Sequence, residues 1–115
     1  MARINIKPLS VNKAYRGRRF KSADYKNYTE ELMLYLGPVE LPEGPLEAFY
    51  TWGVSNLRFD VDNACKPFQD VLCDFLGIDD SRIYKITMEK VKVPKGEEFI
   101  EFELSAYKNV AELTE

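Results

Sequence analysis

Residues 46–54, LEAFYTWGV, put Leu46, Ala48, Tyr50, Trp52 and Val54 on one side of an extended chain and Glu47, Phe49, Thr51 and Gly53 on the other. Successive side chains of a strand point to opposite faces, and bulky apolar groups on both sides mark a central, largely buried one. A second stretch, 98–107, alternates Ile100, Phe102, Leu104 and Ala106 with Glu101, Glu103, Ser105 and Tyr107. Between them, residues 63–76 carry Ala64, Phe68, Val71, Leu72, Phe75 and Leu76 at helical spacing. Asp62, Lys66, Gln69 or Asp70, and Cys73 fall on that helix's other face. Two strands and an amphipathic helix each need a partner surface, so the chain must pack helices on a sheet.

The remaining elements follow from turn chemistry and period. Residues 3–7 alternate around Ile4 and Ile6 until Pro8 stops the ladder, a short first strand. The basic stretch 9–22, with Gly17 in it, is a long loop or a small hairpin. Ser22 is a natural N-cap for a helix to about residue 36, on which Tyr25, Tyr28, Leu32, Tyr35 and Leu36 share a face, and Gly37–Pro38 ends it. Residues 83–93 form another strand, whose apolar phase changes from Tyr84, Ile86 and Met88 to Val91 and Val93, which predicts a bulge near Glu89 and Lys90. VPKGEE then predicts a hairpin connection into the last strand. The order is β, loop, α, β, α, β, β: an α+β fold with a small mixed sheet and two helices packed on it, forming a single domain over residues 1–115.

Residue inventory narrows the chemistry. There is no histidine among the 115 residues, which removes Ser-His and Cys-His catalysis and leaves a zinc site short of ligands. Cys65 and Cys73 fall in one helix about 12 Å apart along its axis, too far to bridge, and are expected to be reduced packing residues. No apolar run is long enough to span a bilayer and the N-terminus lacks a signal-peptide core, so a cytoplasmic protein with no membrane partner is expected.

Charge is divided unevenly. Residues 1–21 hold seven Lys and Arg and no acid, while residues 22–115 hold nine basic and nineteen acidic residues, so +7 and −10 make up the net −3. Such a division puts a polyanion-facing segment on an otherwise acidic body.

The acids themselves are clustered. FDVDNACKPFQD, residues 59–70, has Asp60 and Asp62 two positions apart and Lys66 one helical turn after Asp62, and Asp79 and Asp80 follow in the turn beyond the helix. Singly, these are ordinary loop, cap and turn residues, and Lys66 an i+4 partner of Asp62. An EF-hand is excluded, because its sixth position needs glycine and Cys65 stands there. If the acids meet, they would repel one another unless a cation neutralised them, and Mg²⁺ or Mn²⁺ suits an all-oxygen set. The helix is about 21 Å long, so the Asp79–Asp80 turn reaches Asp60 and Asp62 only if the segment from Ser81 runs back beside the strand ending at Val54.

The stretch DVDNACKPFQDVLCDFLGIDDSRI resembles the signature of RusA-type Holliday-junction resolvases, in which D-x-D-N-x-x-K-x-x-x-D opens a helix that is followed by a D-D-[SA]-x-[IV] turn. PLSVNKAYRGRRFKS is similar to that family's opening and basic loop, so the resemblance spans nearly the whole chain. It implies metal-binding aspartates at Asp60, Asp62 and Asp80, a catalytic lysine at Lys66, and a matching Asn63. It further implies a homodimeric, Mg²⁺-dependent endonuclease (Mn²⁺ as the alternative) of DNA recombination and repair, often phage-encoded, that nicks opposed strands of four-way DNA junctions. Family members often carry an arginine-rich run before the first aspartate, where this chain has only Arg58. Phosphate contact is therefore expected to rest on Lys13, Arg16, Arg18, Arg19, Lys21 and Arg58, with Tyr15 and Phe20 available to stack on exposed bases. The competing expectation is a phage DNA-binding accessory protein that keeps the fold and does not cleave. The tyrosines of the first helix and the aromatics of the long strand are candidate dimer surfaces, with core burial as their alternative use.

Overall fold

The computed structural model describes residues 1–16 and 20–108. Its strands are β1 (Ala2–Ile4), β2 (Tyr15–Arg16), β3 (Phe20–Lys21), β4 (Leu46–Val54), β5 (Ile83–Lys92) and β6 (Phe99–Ala106), and its helices are α1 (Val11–Ala14), α2 (Ala23–Tyr35) and α3 (Cys65–Leu76). A 3-10 turn, Asp80–Arg82, precedes β5. The helices pack on a mixed four-stranded sheet of order β1-β6-β4-β5, and β2 with β3 makes a separate small hairpin. This is the expected α+β fold, with α1 added inside the basic stretch.

Alternation decides which face is buried. Leu46, Ala48, Tyr50, Trp52 and Val54 of β4 and Ile100, Phe102 and Leu104 of β6 are all buried. The ring of Phe68 on α3 packs edge-on against Tyr50 and Trp52 at 5.4 and 5.7 Å and tilted against Phe102 at 5.5 Å. Tyr50 and Trp52 of β4, and Tyr25 and Tyr28 of α2, are thus core residues, while Phe49 of β4 lies half-buried on the other face of the sheet. Phe75, read as core, is exposed at the end of α3, and Cys73, read on its polar face, is buried. Both cysteines are free thiols.

α2 begins as its sequence predicts: Ser22 Oγ accepts from Tyr25 N–H at 3.1 Å and donates to the Lys13 carbonyl at 2.5 Å, which also ties α1 to the cap. α3 ends on Gly77 in the left-handed region at φ 68°, where the N–H of Ile78 closes on the Cys73 carbonyl at 3.0 Å.

Two strand expectations are corrected. β5 and β6 are not a hairpin: β4 lies between them, paired in parallel with β5 and antiparallel with β6. β4, α3 and β5 form a crossover unit, so β5 runs with β4, and the turn at Gly96 carries the chain across the end of β4 to its other edge. A tight turn signal states that the chain reverses but not which strand it reverses against. The bulge lies at the start of β5 as well: register shifts between Leu46 and Glu47, leaving Tyr84 as the extra residue, and pairing is unbroken from Lys85 to Lys92. Beyond it Ile86, Met88 and Lys90 pair with Ala48, Tyr50 and Trp52 on the helix side, and Val91 faces the other way opposite Gly53. As an edge strand, β5 has no second neighbour to hold its apolar residues in one phase.

Candidate functional site

The segment between β4 and α3 is held by its carbonyls. Lys90 Nζ donates to the carbonyls of Leu57 at 2.9 Å and Phe59 at 2.7 Å, the buried Trp52 indole donates to that of Val61 at 2.8 Å, and Val11 N–H donates to that of Asn63 at 2.8 Å. Alternate carbonyls are therefore taken from within, and Asp60 and Asp62 are left exposed. They are not caps. α3 starts at Ala64 with no side-chain capping hydrogen bond, and among the described residues neither carboxylate has a hydrogen-bond or ion-pair partner.

Lys66 lies exposed on the first turn of α3 and forms an i,i+4 ion pair with Asp70 at 3.1 Å. The hydrogen bond to Asp70 and then that carboxylate's charge hold the ammonium's pKa above its ordinary value, with Tyr15 and Asp80 adding to the effect. Lys66 Nζ also stands 6.0 Å from the centre of the Tyr15 ring. The expected i+4 pairing of Lys66 with Asp62 is therefore corrected: the ammonium turns toward the C-terminal end of the helix and takes Asp70 instead.

Asp79 and Asp80 behave differently. Asp79 accepts from Ser81 N–H at 2.9 Å, and that backbone bond holds its carboxyl below the usual range. Asp80 opens the 3-10 turn and is exposed. The return expected from the sequence does not occur, because Ile83 pairs with Leu46 while Val54 pairs with Lys92. Asp80 is left at the far end of α3 from Asp60 and Asp62, separated by about 18 Å of helix. Among the described residues no three Asp, Glu, Cys or His side chains converge within reach of one metal ion. Asp60 and Asp62 alone still form a fitting donor set, since Mg²⁺ commonly takes only one or two carboxylates and fills its other positions with water and phosphate oxygens.

The basic segment abuts this turn. The hydrogen bond from Val11 to Asn63 joins the two backbones, and Lys13 and Arg58 line one cleft with Phe59 and Asn63. Lys21 is exposed, its Nζ 5.2 Å from the Tyr25 ring centre. Tyr15, expected to stack on bases, is half-buried and packs edge-on against Tyr25 at 5.5 Å, which engages its ring in the protein. Arg16 belongs to β2, and Arg18 and Arg19 lie outside the described residues.

Lys90 was missed in the sequence, and Trp52, read there as a core residue, has the further role of anchoring Val61. A signal existed for Lys90: it is a lysine in phase with Ile86 and Met88, on the side of the strand that faces the helices. Against models of protein families and against curated proteins, the chain has no match. Among the described residues no helix is long and apolar enough to cross a membrane.

Proposed function

We propose that the chain is a metal-dependent, structure-selective DNA endonuclease of the RusA type, which acts as a homodimer and nicks opposed strands of four-way junctions. One observation carries this reading: Asp60 and Asp62 are exposed, unused as caps, and borne on a turn whose backbone is anchored from inside at four carbonyls. Two carboxylates that no group of the described chain engages keep their oxygens available to a hard cation. The resemblance of the 60–83 stretch to the resolvase signature and the uneven division of charge point to phosphate as the second partner.

In this reading Asp60 and Asp62 hold a hard divalent cation, Mg²⁺ or Mn²⁺. When bound, such a cation supplies Lewis acidity at a phosphate oxygen and a more acidic water. Lys66 turns its charge from Asp70 toward the phosphate, where it offsets the negative charge that builds up on the leaving oxygen. Lys13, Arg58 and the remaining basic residues of segment 13–21 hold the flanking backbone.

The dimer serves two purposes. A four-way junction has two equivalent cleavage points, which an isologous pair of subunits matches. A second copy can also bring Asp80 to the site. Among the described residues one edge of β5 is unpaired, and antiparallel pairing of two β5 strands about a two-fold would exchange their ends, setting the Asp80 turn of one copy toward the partner's Asp60. With Thr87 on the axis, Lys85 faces the partner's Glu89 twice.

The test is incubation of the protein with labelled four-way junction and with matched linear duplex, with and without Mg²⁺. Paired nicks in the junction that require the metal are expected, and metal-independent indifference to both DNAs would remove the reading. A non-cleaving DNA-binding protein of the same fold is the second reading, favoured by the separation of Asp80 from Asp60 and Asp62 within one chain. Tight junction binding with no nicking in either Mg²⁺ or Mn²⁺, at concentrations where the protein is dimeric, would decide for it.

A further inference from the structure

The cleft beside the Asp60 turn has a volume of about 630 Å³ and walls of opposite character. One wall is a single face of α2, where Asp24, Asn27, Tyr28 and Glu31 recur at i, i+3, i+4 and i+7. The facing walls carry Lys7 and Lys13 from the N-terminal segment and Arg58 from the loop after β4. Among the described residues none of these five charges has an ion-pair partner within 4.0 Å, so the two signs face each other across the cleft without neutralising. In the α2 wall, the Tyr28 hydroxyl is buried and has no hydrogen-bond partner among the described residues, and burial pushes its pKa well up. A buried hydroxyl without a partner is an exception among buried polar groups, and it leaves one hydrogen-bonding group of this wall uncommitted. The half-buried Phe59 adds an apolar surface next to Asp60.

We propose that this cleft binds one unpaired nucleotide, with its phosphate on the Lys13 and Arg58 side and its base against α2. The volume suits a single nucleotide and lies within the range of small-ligand sites, about 300–1,000 Å³. The carboxylates of Asp24 and Glu31 are acceptors only, so they favour a base that presents an exocyclic amino group, as cytosine, adenine and guanine do; thymine offers only its N3–H, flanked by two carbonyl oxygens that carboxylates repel. Asn27 adds an amide able to pair with either kind of group on the base edge. The source of the nucleotide, a base unpaired near the crossing point of branched DNA, rests on the nuclease reading above; the chemistry of the cleft does not. Phe59 and Arg58 border both the cleft and Asp60, so a base seated there also sets the register of the phosphate presented to the aspartates.

The test uses the full chain carrying Asp60→Asn, which keeps the cleft residues and removes a carboxylate of the proposed metal site, so that phosphate held through a cation there does not contribute to the measurement. Deoxycytidine and thymidine 5′-monophosphates and inorganic phosphate are titrated separately, read by amide chemical shifts and calorimetry. Saturable binding of the cytidine nucleotide, at least roughly tenfold tighter than the thymidine nucleotide or phosphate, is expected, the preference being that of hydrogen bonds to charged acceptors. Glu31→Gln with Asp24→Asn should erase that preference and leave binding of the phosphate end; both positions are exposed, and unchanged circular dichroism would show the fold intact. Lys13→Ala with Arg58→Ala should weaken both nucleotides together. Equal affinity for the two nucleotides and for phosphate, or no saturable binding, would overturn the proposal. Junction nicking by the native chain is scored apart: nicking without nucleotide discrimination removes only the cleft's role, and discrimination without nicking removes only the nuclease reading.

Discussion

Lys90 Nζ, on the edge strand β5, donates to the carbonyl oxygen of Phe59 at 2.7 Å, the residue directly before Asp60. With its second bond to Leu57, this lysine sets the height of the acidic turn above the sheet. Its position opposite Trp52, whose indole holds Val61, means that two neighbouring residues of one sheet face anchor the segment on either side of Asp60.

Lys90→Met keeps the length of the side chain and removes both hydrogen bonds. Two carbonyls lose a charged donor, and the expected cost is about 1–3 kcal/mol in urea unfolding. In the nuclease reading, single-turnover nicking falls more than junction affinity, because the carboxylates lose their setting while the basic segment does not. Equal losses in rate and affinity would show that Lys90 acts only on stability.

Asp62→Asn and Asp80→Asn are each expected to abolish Mg²⁺-dependent nicking and to leave junction binding intact or tighter, since each removes a carboxylate from the neighbourhood of a phosphate. Asp79→Asn should be milder, because Asp79 serves the turn through Ser81. Loss of nicking with Asp79→Asn but not with Asp80→Asn would shift the assignment by one residue.

Replacing Arg16, Arg18 and Arg19 together by alanine should lower both junction affinity and its salt dependence, each lost phosphate contact reducing the slope of log K against log salt by about 0.9. Lys66→Ala should instead reduce the nicking rate far more than affinity. An unchanged slope in the triple variant would transfer the DNA track to Lys13, Lys21 and Arg58.

Gly53→Ala is a test of the fold alone. A Cβ at Gly53 would run into the ring of Phe99 on the neighbouring strand, which is buried and has the Arg3 guanidinium 3.7 Å from its centre. Overpacking of this kind costs about 1–3 kcal/mol, read as a fall in urea midpoint. Gly53→Ala with Phe99→Leu should recover part of it.

Acid should weaken the Asp79 turn in a defined direction. The Ser81 N–H keeps the Asp79 pKa below its unfolded value, so its contribution to stability is present above the unfolded pKa and is lost as pH falls through the folded one. The stability difference between the native chain and Asp79→Ala, measured by urea unfolding, should be constant at neutral pH and vanish in strong acid. A difference that survived at about pH 2 would show that the carboxylate's charge is not what holds the turn.

The α+β class, the two long helices, the central strand and the last strand were all legible in the sequence, because alternation at 46–54 and 98–107 and the 3.6 period of 63–76 are local properties of residues a few positions apart. The Ser22 cap and the end of α3 at Gly77 were local in the same sense. Asp60, Asp62 and Lys66 could be picked out as residue types at a spacing, but that Lys66 pairs with Asp70 and not with Asp62 could not, because both lie four residues away and the spacing is the same. Only the tertiary structure decided the rest. Whether β5 runs with or against β4 depends on where α3 docks, and that single choice moves Asp80 from one end of the helix layer to the other. Whether Asp60 and Asp62 cap a helix or stand free depends on donors 30 residues later in the chain and 50 residues earlier, Lys90 and Val11. Local periodicity records which face of an element is apolar; the partner that covers it is chosen by the packing of the whole chain, where many weak contacts between distant residues compete and no short stretch carries the outcome.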